Sequence, residues 1–320
     1  MEAKNQEIAE QRLLNVSSSP HVRTTDSTQR IMLDVIIALV PAIVAAVVIF
    51  GIKALFVILV SVICCVLAEA ASQKVMKKRI TVTDLSAVVT GILLAFNVPS
   101  SMPLWQVAVG AVFAIVIVKQ FFGGLGQNFM NPALAGRAFL LTSWGSNMSH
   151  TVVPFQPDAV SGPTPLSGGA YPSLLDMFLG KMPGMLGEVC TIALLLGAIY
   201  LIVRGVIHVR IPFTYIASFV VFMFLFGLIT KKVGLAELPQ QVLAGGLILG
   251  AFFMATDYAT TPMTPKGQLI FACGAGFLTA LIRSFGGYPE GVSYAILLMN
   301  VCTPLIDKYV TMKPFGGVQK

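Results

Sequence analysis

The sequence predicts an all-α membrane protein of about ten transmembrane helices, arranged as two inverted five-helix repeats with some helices short or broken. Composition is the first reason. Of 320 residues, 56% are hydrophobic and only 11% are charged, whereas a soluble domain averages about 25% charged residues. The other reasons are a series of long apolar stretches and an internal sequence repeat. An ordinary water-soluble domain is therefore excluded.

Ten apolar stretches are long enough, or nearly so, to cross a hydrocarbon core about 30 Å thick. They cover Ile31–Ile52, Ala54–Ser72, Asp84–Val98, Leu104–Phe122, Pro132–Trp144, Glu188–Val203, Ile211–Thr230, Gln241–Tyr258, Gln268–Phe285 and Gly291–Ile306. The first thirty residues contain no apolar core of a signal peptide. We therefore expect the N-terminus to stay on the side of synthesis.

Lysine and arginine set the expected orientation. The formal net charge is +7, but the basic residues occur singly or in short clusters between apolar runs, so no nucleic-acid partner is expected. Most fall on the same side as the N-terminus, and basic loops resist translocation. This predicts a multi-pass protein of the cytoplasmic (inner) membrane with both termini in the cytoplasm. The expected division is 1–30 (N-terminal segment), 31–144 (first repeat), 145–187 (extracytoplasmic loop), 188–306 (second repeat) and 307–320 (C-terminal tail).

The repeat is visible as two pairs of similar segments. Gly91–Phe96 resembles Gly246–Phe252, and Lys119–Gly124 resembles Arg283–Gly287. Because each half contains an odd number of spans, the second half must enter the membrane from the opposite face. Folds of this kind hold ligands at the interface of the repeats, often where helices are discontinuous.

Three of the predicted spans, the third, fifth and tenth, are short for a straight, lipid-exposed crossing. The fifth follows the irregular segment Gly123–Pro132, and the tenth follows Gly286–Gly291. Irregular backbone at membrane depth must be buried in protein or line a polar cavity. Helix N-termini that open there would present amides to a ligand.

The outer loop contains Asp158-Ala-Val-Ser161-Gly162-Pro-Thr164, with several prolines around it. Proline fixes φ and disfavours helix in the preceding residue. Composition alone therefore indicates an extended surface loop that displays a threonine hydroxyl. The spacing resembles the recognition motif of flavin transferase, which joins FMN to threonine by a phosphoester bond; Pro163 stands where that motif usually has alanine.

Further motifs occur in the same order as in one family. They are Ser19–His21, Asn128–Phe139, Ala255–Pro262 and Arg283–Gly287. With them, the chain resembles RnfD, the D subunit of the ion-translocating Rnf electron transport complex, over nearly all of its length after the first eighteen residues. RnfD is related to NqrB, the B subunit of the sodium-translocating NADH:quinone oxidoreductase, which stays open as an alternative.

The resemblance implies a subunit of a redox-driven ion translocase that carries electrons and has no catalytic residue of its own. It implies FMN bound covalently to Thr164, with Asp158, Ser161 and Gly162 in the attachment motif, and riboflavin bound non-covalently among the helices. The implied partners are the A, B, C, E and G subunits of the Rnf complex, the flavin transferase and membrane lipid. The sequence has neither a Rossmann glycine motif nor a cysteine quartet for an iron–sulfur cluster, so NAD and ferredoxin are expected to bind other subunits.

Five polar residues near the broken segments are candidate flavin contacts: Asn128, Asn131, Thr256, Asp257 and Arg137. Amides and hydroxyls that converge in a cavity could bind the polar edge of a flavin. The asparagines could instead cap helices. Arg137 lies within a span and should face the protein interior, paired with a carboxylate or a flavin phosphate.

Two carboxylates are candidates for cation handling, because intramembrane carboxylates often have this role. Asp34 and Glu69 lie near the inner ends of the first two spans, where water could equally reach them.

Two alternatives to an electron carrier stay open. One is a solute carrier of urea-transporter-like architecture, which would share the five-plus-five arrangement and need no cofactor. The other is a scaffold protein with an unused flavin site.

Overall fold

The computed structural model describes residues 26–155, 162–169, 171–230, 234–287 and 290–311, and its regular structure there is helical. The first half contains α1 (Thr28–Phe50), α2 (Ile52–Val75), α3 (Ser86–Phe96), α4 (Leu104–Gln120) and α5 (Pro132–Ser143). The connection between the halves holds the short helices α6 (Gly145–Ser149) and α7 (Leu174–Leu179). The second half contains α8 (Thr191–Val203), α9 (Arg210–Thr230), α10 (Leu238–Leu243), α11 (Leu247–Met254), α12 (Pro265–Phe285) and α13 (Val292–Tyr309).

Each predicted span contains helix, but two differ from the prediction. The eighth is not one helix: Leu235–Leu243 and Leu247–Met254 are bent by 64° relative to each other. The cause is local, because Gly245 has a φ of 70°, a left-handed conformation that glycine adopts readily. The tenth is not short, since α13 has 18 residues.

Within the described residues, four helices are long and apolar enough to cross a membrane: α1, α2, α9 and α12. The bent pair α10–α11 passes the same test as one unit, and α3, α4 and α8 are shorter apolar helices. Large apolar side chains point outward from the long helices; Val48, Leu67 and Leu228 are each more than 60% exposed. Such surfaces suit lipid rather than water. The protein is therefore an all-α, multi-pass membrane protein.

Helix starts follow from short polar and proline motifs. The Asn131 side chain accepts from the backbone amides of Ala133 and Leu134, and Pro132 occupies the first turn of α5. Thr264 caps α12 in the same way, with Pro265 next to it. Both pairs match the preference for a polar N-cap followed by proline.

Small residues let the helices approach closely, as in other membrane bundles. A Cβ on Gly197 of α8 would lie 2.0 Å from the carbonyl oxygen of Ala38 on α1. The same packing pattern occurs in both halves: α2 packs on α4 as α9 packs on α12, and α4 on α5 as α12 on α13. Between the halves, α1 packs on α8 and α5 on α13. A repeat requires such matched pairings; the inverted orientation of the second half stays a prediction.

Candidate functional site

Thr164 lines a cavity between helices and loop, which we call the Thr164 cavity. Its volume is about 420 Å³, within the range of about 300–1,000 Å³ typical of small-molecule sites. Helix α5, helix α6, the loop and the start of α13 supply its walls. Its polar and charged lining residues are Arg137, Ser149, Thr151, Thr164, Ser167, Glu290, Ser293 and Tyr294.

Arg137 is the buried cation of this cavity, with 4% of its surface exposed. Its Nη1 donates to Asn97 Oδ1 at 3.1 Å and to Ser293 Oγ at 2.7 Å. Its Nη2 pairs with Glu290, and Glu188 Oε1 lies 3.6 Å from Nη1. Arg137 therefore pairs with carboxylates in this structure, and a contact with a flavin phosphate stays a prediction. The Arg137 Nε is buried and has no hydrogen-bond acceptor among the described residues, so one donor of the guanidinium is unsatisfied.

A second arginine holds the loop before α13 against the break between α10 and α11. Arg283 donates to the carbonyl oxygens of Gln241 at 2.5 Å and Ala244 at 3.1 Å. Its Nε donates to the backbone oxygen of Glu290 at 3.0 Å. The carbonyls freed by the bend are thus satisfied. Glu290 is held at both ends, by Arg283 through its backbone and by Arg137 through its side chain.

The loop around Thr164 is attached to the helical body. Thr151 Oγ1 donates to the backbone oxygen of Gly162 at 2.7 Å, and the amide of Gly162 donates to the backbone oxygen of Thr151. Farther along, Gln241 Nε2 donates to the Tyr171 phenol at 2.6 Å, and burial raises the pKa of that phenol. Asp158 and Ser161 lie outside the described residues. These contacts place the described part of the motif beside the cavity.

Thr164 itself is half-buried and extended. Its hydroxyl donates to Ser167 Oγ at 3.0 Å and accepts from the Ser167 amide at 3.3 Å. It therefore caps a single 3-10 turn, Pro165–Ser167. No carboxylate or imidazole contacts this hydroxyl in the described residues, which suits an acceptor that another enzyme modifies.

A second cavity is lined by Asp257, and we call it the Asp257 cavity. Four predicted residues converge there: Asn128, Asn131, Thr256 and Asp257. Its volume is about 90 Å³, below the usual size of a ligand site. Its lining offers amide, hydroxyl and carboxylate groups, but a ligand much larger than this volume could enter only if the lining moved.

The polar groups of the Asp257 cavity already have partners inside the protein. Asn131 caps α5, as one of its two predicted roles requires, and also donates to the Met254 oxygen at 3.4 Å. A flavin contact, the other predicted role, stays a prediction. Asn128 donates to the Met130 oxygen at 3.1 Å. Thr256 donates to the Phe252 oxygen at 2.7 Å, while Asp257 accepts from the amide of Ala259.

The two carboxylates considered for cation handling are both in ion pairs. Glu69, 1% exposed, lies 2.8 Å from Lys119 Nζ, which also donates to Ser86 Oγ at 2.6 Å. Lys119 lines the Asp257 cavity. Asp34 lies 3.2 Å from Arg204 Nη2 and accepts from the Tyr200 phenol. In this conformation each carboxylate is paired with a basic side chain, although Glu69 Oε2 has no hydrogen-bond partner among the described residues.

Sequence reasoning missed the partners of Arg137. Glu188 is 3% exposed and Asn97 is 1% exposed, although both occur at the ends of apolar stretches. Glu290 falls in an irregular segment of the sequence. A carboxylate next to a Gly- and Pro-rich break could have signalled the site, because unpaired charge is costly at membrane depth.

The fold and these two cavities define a class: a multi-pass α-helical membrane protein with polar, partly charged ligand cavities between its two halves. Residues 15–316 match the NQR2, RnfD, RnfE family. The chain belongs to this family.

Three relatives illustrate the relationship. The chain is 51% identical over 311 residues to the D subunit of the Na⁺-translocating ferredoxin:NAD⁺ oxidoreductase complex of Acetobacterium woodii, with 95% of each chain covered. It is 46% identical to the D subunit of the proton-translocating ferredoxin:NAD⁺ oxidoreductase complex of Clostridium ljungdahlii, covering 95% of this chain and 96% of that one. It is 35% identical to the D subunit of the ion-translocating oxidoreductase complex of Erwinia tasmaniensis, covering 94% and 98%. The predicted resemblance is thus confirmed.

Proposed function

We propose that this chain is the membrane-embedded, electron-carrying D subunit of an ion-translocating ferredoxin:NAD oxidoreductase complex. Its relatives' names and the family match support both the complex and the place of the chain within it. We further propose the cytoplasmic membrane of a prokaryotic cell, cytoplasmic termini and an extracytoplasmic loop around Thr164. The other subunits of the complex and a flavin transferase are the proposed partners.

We propose that FMN is esterified to Thr164 and occupies the Thr164 cavity. The observation that carries this proposal is that Thr164 and the buried Arg137 line one cavity of about 420 Å³. The cavity is large enough for a ligand of this class, and the unsatisfied Nε donor of Arg137 would suit an anionic or carbonyl acceptor once a ligand reaches it. When bound, FMN would supply one-electron and two-electron redox chemistry.

The protein's own residues would tether and orient this group. The Thr164 hydroxyl is the attachment point, and Arg137 would place positive charge beside it. Glu188 and Glu290 hold the guanidinium in position, so its direction is set before the ligand arrives. Ser293 and Asn97 fix the same group through hydrogen bonds.

For the Asp257 cavity we propose riboflavin, bound without a covalent bond. Asn128, Asn131, Thr256 and Asp257 offer amide, hydroxyl and carboxylate groups toward it. Such groups can match the carbonyl and nitrogen edge of the ring. Its small volume implies that riboflavin opens the cavity as it binds.

The covalent attachment is tested by in-gel fluorescence. The chain is expressed with its flavin transferase, denatured and viewed under ultraviolet light. We expect a fluorescent band in the wild type that Thr164→Ala removes. Thr142→Ala is the matched control, because this exposed hydroxyl bonds only to carbonyls of its own helix. A dark wild-type band, or fluorescence that persists in Thr164→Ala, would overturn the proposal.

Acid extraction of the native complex tests the second flavin. We expect one flavin without phosphate to be released, while the FMN ester stays with the polypeptide. Absence of riboflavin from the extract of a complex in which this chain is fluorescent would refute the riboflavin site alone.

A further inference from the structure

A continuous series of buried contacts joins the Asp257 cavity to the Thr164 cavity. Asn131, in the lining of the Asp257 cavity, donates to the backbone oxygen of Met254 at 3.4 Å. The thioether sulfur of Met254 accepts from Asn97 Nδ2 at 3.7 Å. Asn97 Oδ1 in turn accepts from Arg137 Nη1 at 3.1 Å, and Arg137 lines the Thr164 cavity.

All four residues in this series of contacts are almost completely buried. Their exposed fractions are 3% for Asn131, 1% for Met254, 1% for Asn97 and 4% for Arg137. Buried polar contacts are strong where water cannot compete. A displacement of one member therefore has to be taken up by the next.

Met254 is placed where a displacement would begin. It ends a π-helical segment, Gly250–Met254, and π-helical turns inside helices are often found at functional sites. Phe253, its neighbour, lines the Asp257 cavity. Because that cavity holds only about 90 Å³, a ring that enters it must move this lining. Met254 follows Phe253 along the backbone and does not itself line the cavity, so a movement of Phe253 would be passed on to Met254 through the backbone.

At its other end, this series of contacts reaches the charged guanidinium of Arg137. The Arg137 guanidinium is shared among Asn97, Ser293 and the two carboxylates. A shift of the Asn97 oxygen changes how closely Nη1 approaches Glu188. The positive charge available to a ligand in the Thr164 cavity changes with it.

We propose that Asn97 and Met254 are positioning residues that couple the two cavities, so that a flavin bound in one alters the affinity for a flavin in the other. This inference rests on the proposed function. Coupling between binding sites is reciprocal, and typical factors are about 5–150-fold. We expect a factor of about tenfold here, toward the lower part of that range.

The test is a double-mutant cycle on the purified complex. Riboflavin is removed, and its dissociation constant is measured by fluorescence quenching in the FMN-loaded wild type and in Thr164→Ala, which lacks the attachment point. The same pair is measured with Met254→Leu added. This change conserves volume but removes the sulfur that Asn97 contacts.

With Met254 in place, we expect the riboflavin dissociation constants of the FMN-loaded protein and of Thr164→Ala to differ about tenfold. With Met254→Leu added, we expect them to differ by less than about twofold. The matched control is Met223→Leu, because Met223 is also buried and its sulfur also accepts a hydrogen bond, from Ser284, at a distance of 3.6 Å. It lines neither cavity, so it should leave the ratio unchanged. Asn97→Ser, which is too short to bridge Met254 and Arg137, should act like Met254→Leu and replaces it if that variant does not assemble.

The outcomes separate the two proposals. A wild-type ratio near one, or a ratio that Met254→Leu and Asn97→Ser leave unchanged, would overturn the coupling while both flavins remain bound. Failure to bind any flavin at either site would overturn the proposed function instead.

Discussion

The two cavities differ in size and in charge. The Thr164 cavity is roomy, at about 420 Å³, and borders a cluster of Arg137, Glu188 and Glu290. The Asp257 cavity has about 90 Å³ and is lined mostly by apolar side chains, and polar groups in its lining, such as Asn128 and Thr256, are already bonded to neighbouring backbone. In the proposed function, the first cavity is therefore formed before its flavin arrives, and the second must be opened by its flavin.

This difference follows from what holds each wall. The Thr164 cavity is braced by ion pairs between α5 and the segments before α8 and α13. The Asp257 cavity is closed by helix packing, including the glycine contact of α8 with α1. Ion pairs between the halves hold the walls of the first cavity. Close van der Waals packing keeps the second one small, although the Lys119–Glu69 ion pair also borders it. Arg137→Met and Gly197→Ala each act on one of these supports, whereas Lys181→Ala acts on an exposed ion pair outside both.

The largest effect is expected from Arg137→Met. Glu188 and Glu290 would then lose their buried counter-ion, and breaking a buried ion pair from one side typically costs about 3–5 kcal/mol. We expect the free energy of unfolding of the purified protein to fall by that amount, measured by thermal or denaturant unfolding. The triple variant Arg137→Met, Glu188→Gln, Glu290→Gln should recover most of the loss. A single variant within about 1 kcal/mol of the wild type would contradict the bracing role.

An intermediate effect is expected from Gly197→Ala. The added Cβ would lie 2.0 Å from the Ala38 oxygen, so α1 and α8 must separate, at a cost of about 1–3 kcal/mol. Both helices line the Asp257 cavity. Riboflavin content, measured by acid extraction, should change while covalent flavin fluorescence does not. The control is Gly234→Ala, where a Cβ meets open space; equal loss of both flavins would show that the two supports are not separate.

The smallest effect is expected from Lys181→Ala. Lys181 and Asp176 lie 3.7 Å apart, with 57% and 40% of their side chains exposed. Exposed pairs contribute at most about 1 kcal/mol. The free energy of unfolding should change by no more than that, and both flavins should be retained. A larger loss would mean that charge on the loop, and not only the buried cluster, supports the Thr164 cavity.

The sequence predicted the helices and the polar residues of the Asp257 cavity because both leave local signals. Asn131 followed by Pro132 is a helix start that can be read directly, and Thr256 and Asp257 interrupt an otherwise apolar stretch. Polar residues at span ends are conspicuous in such a chain, so their convergence could be anticipated. Their small cavity volume could not, since it depends on how the helices pack.

The partners of Arg137 could not be predicted, because they come from distant parts of the chain. Asn97 is 40 positions away and Ser293 is 156 positions away. The bend between α10 and α11 could not be predicted either. Apolar residues continue on both sides of Gly245 and Gly246, so hydropathy gives no break, and the carbonyls there are satisfied by Arg283 from another helix.

The ion pairs of Arg137 cross from one half of the molecule to the other, and this has a mechanical consequence. Transporters that alternate between inward- and outward-open states rock one bundle against its partner. Here such rocking would pull a guanidinium away from two carboxylates inside a non-aqueous interior, which is strongly opposed. We therefore expect the two bundles to behave as a stationary frame, through which charge passes while the frame itself stays still.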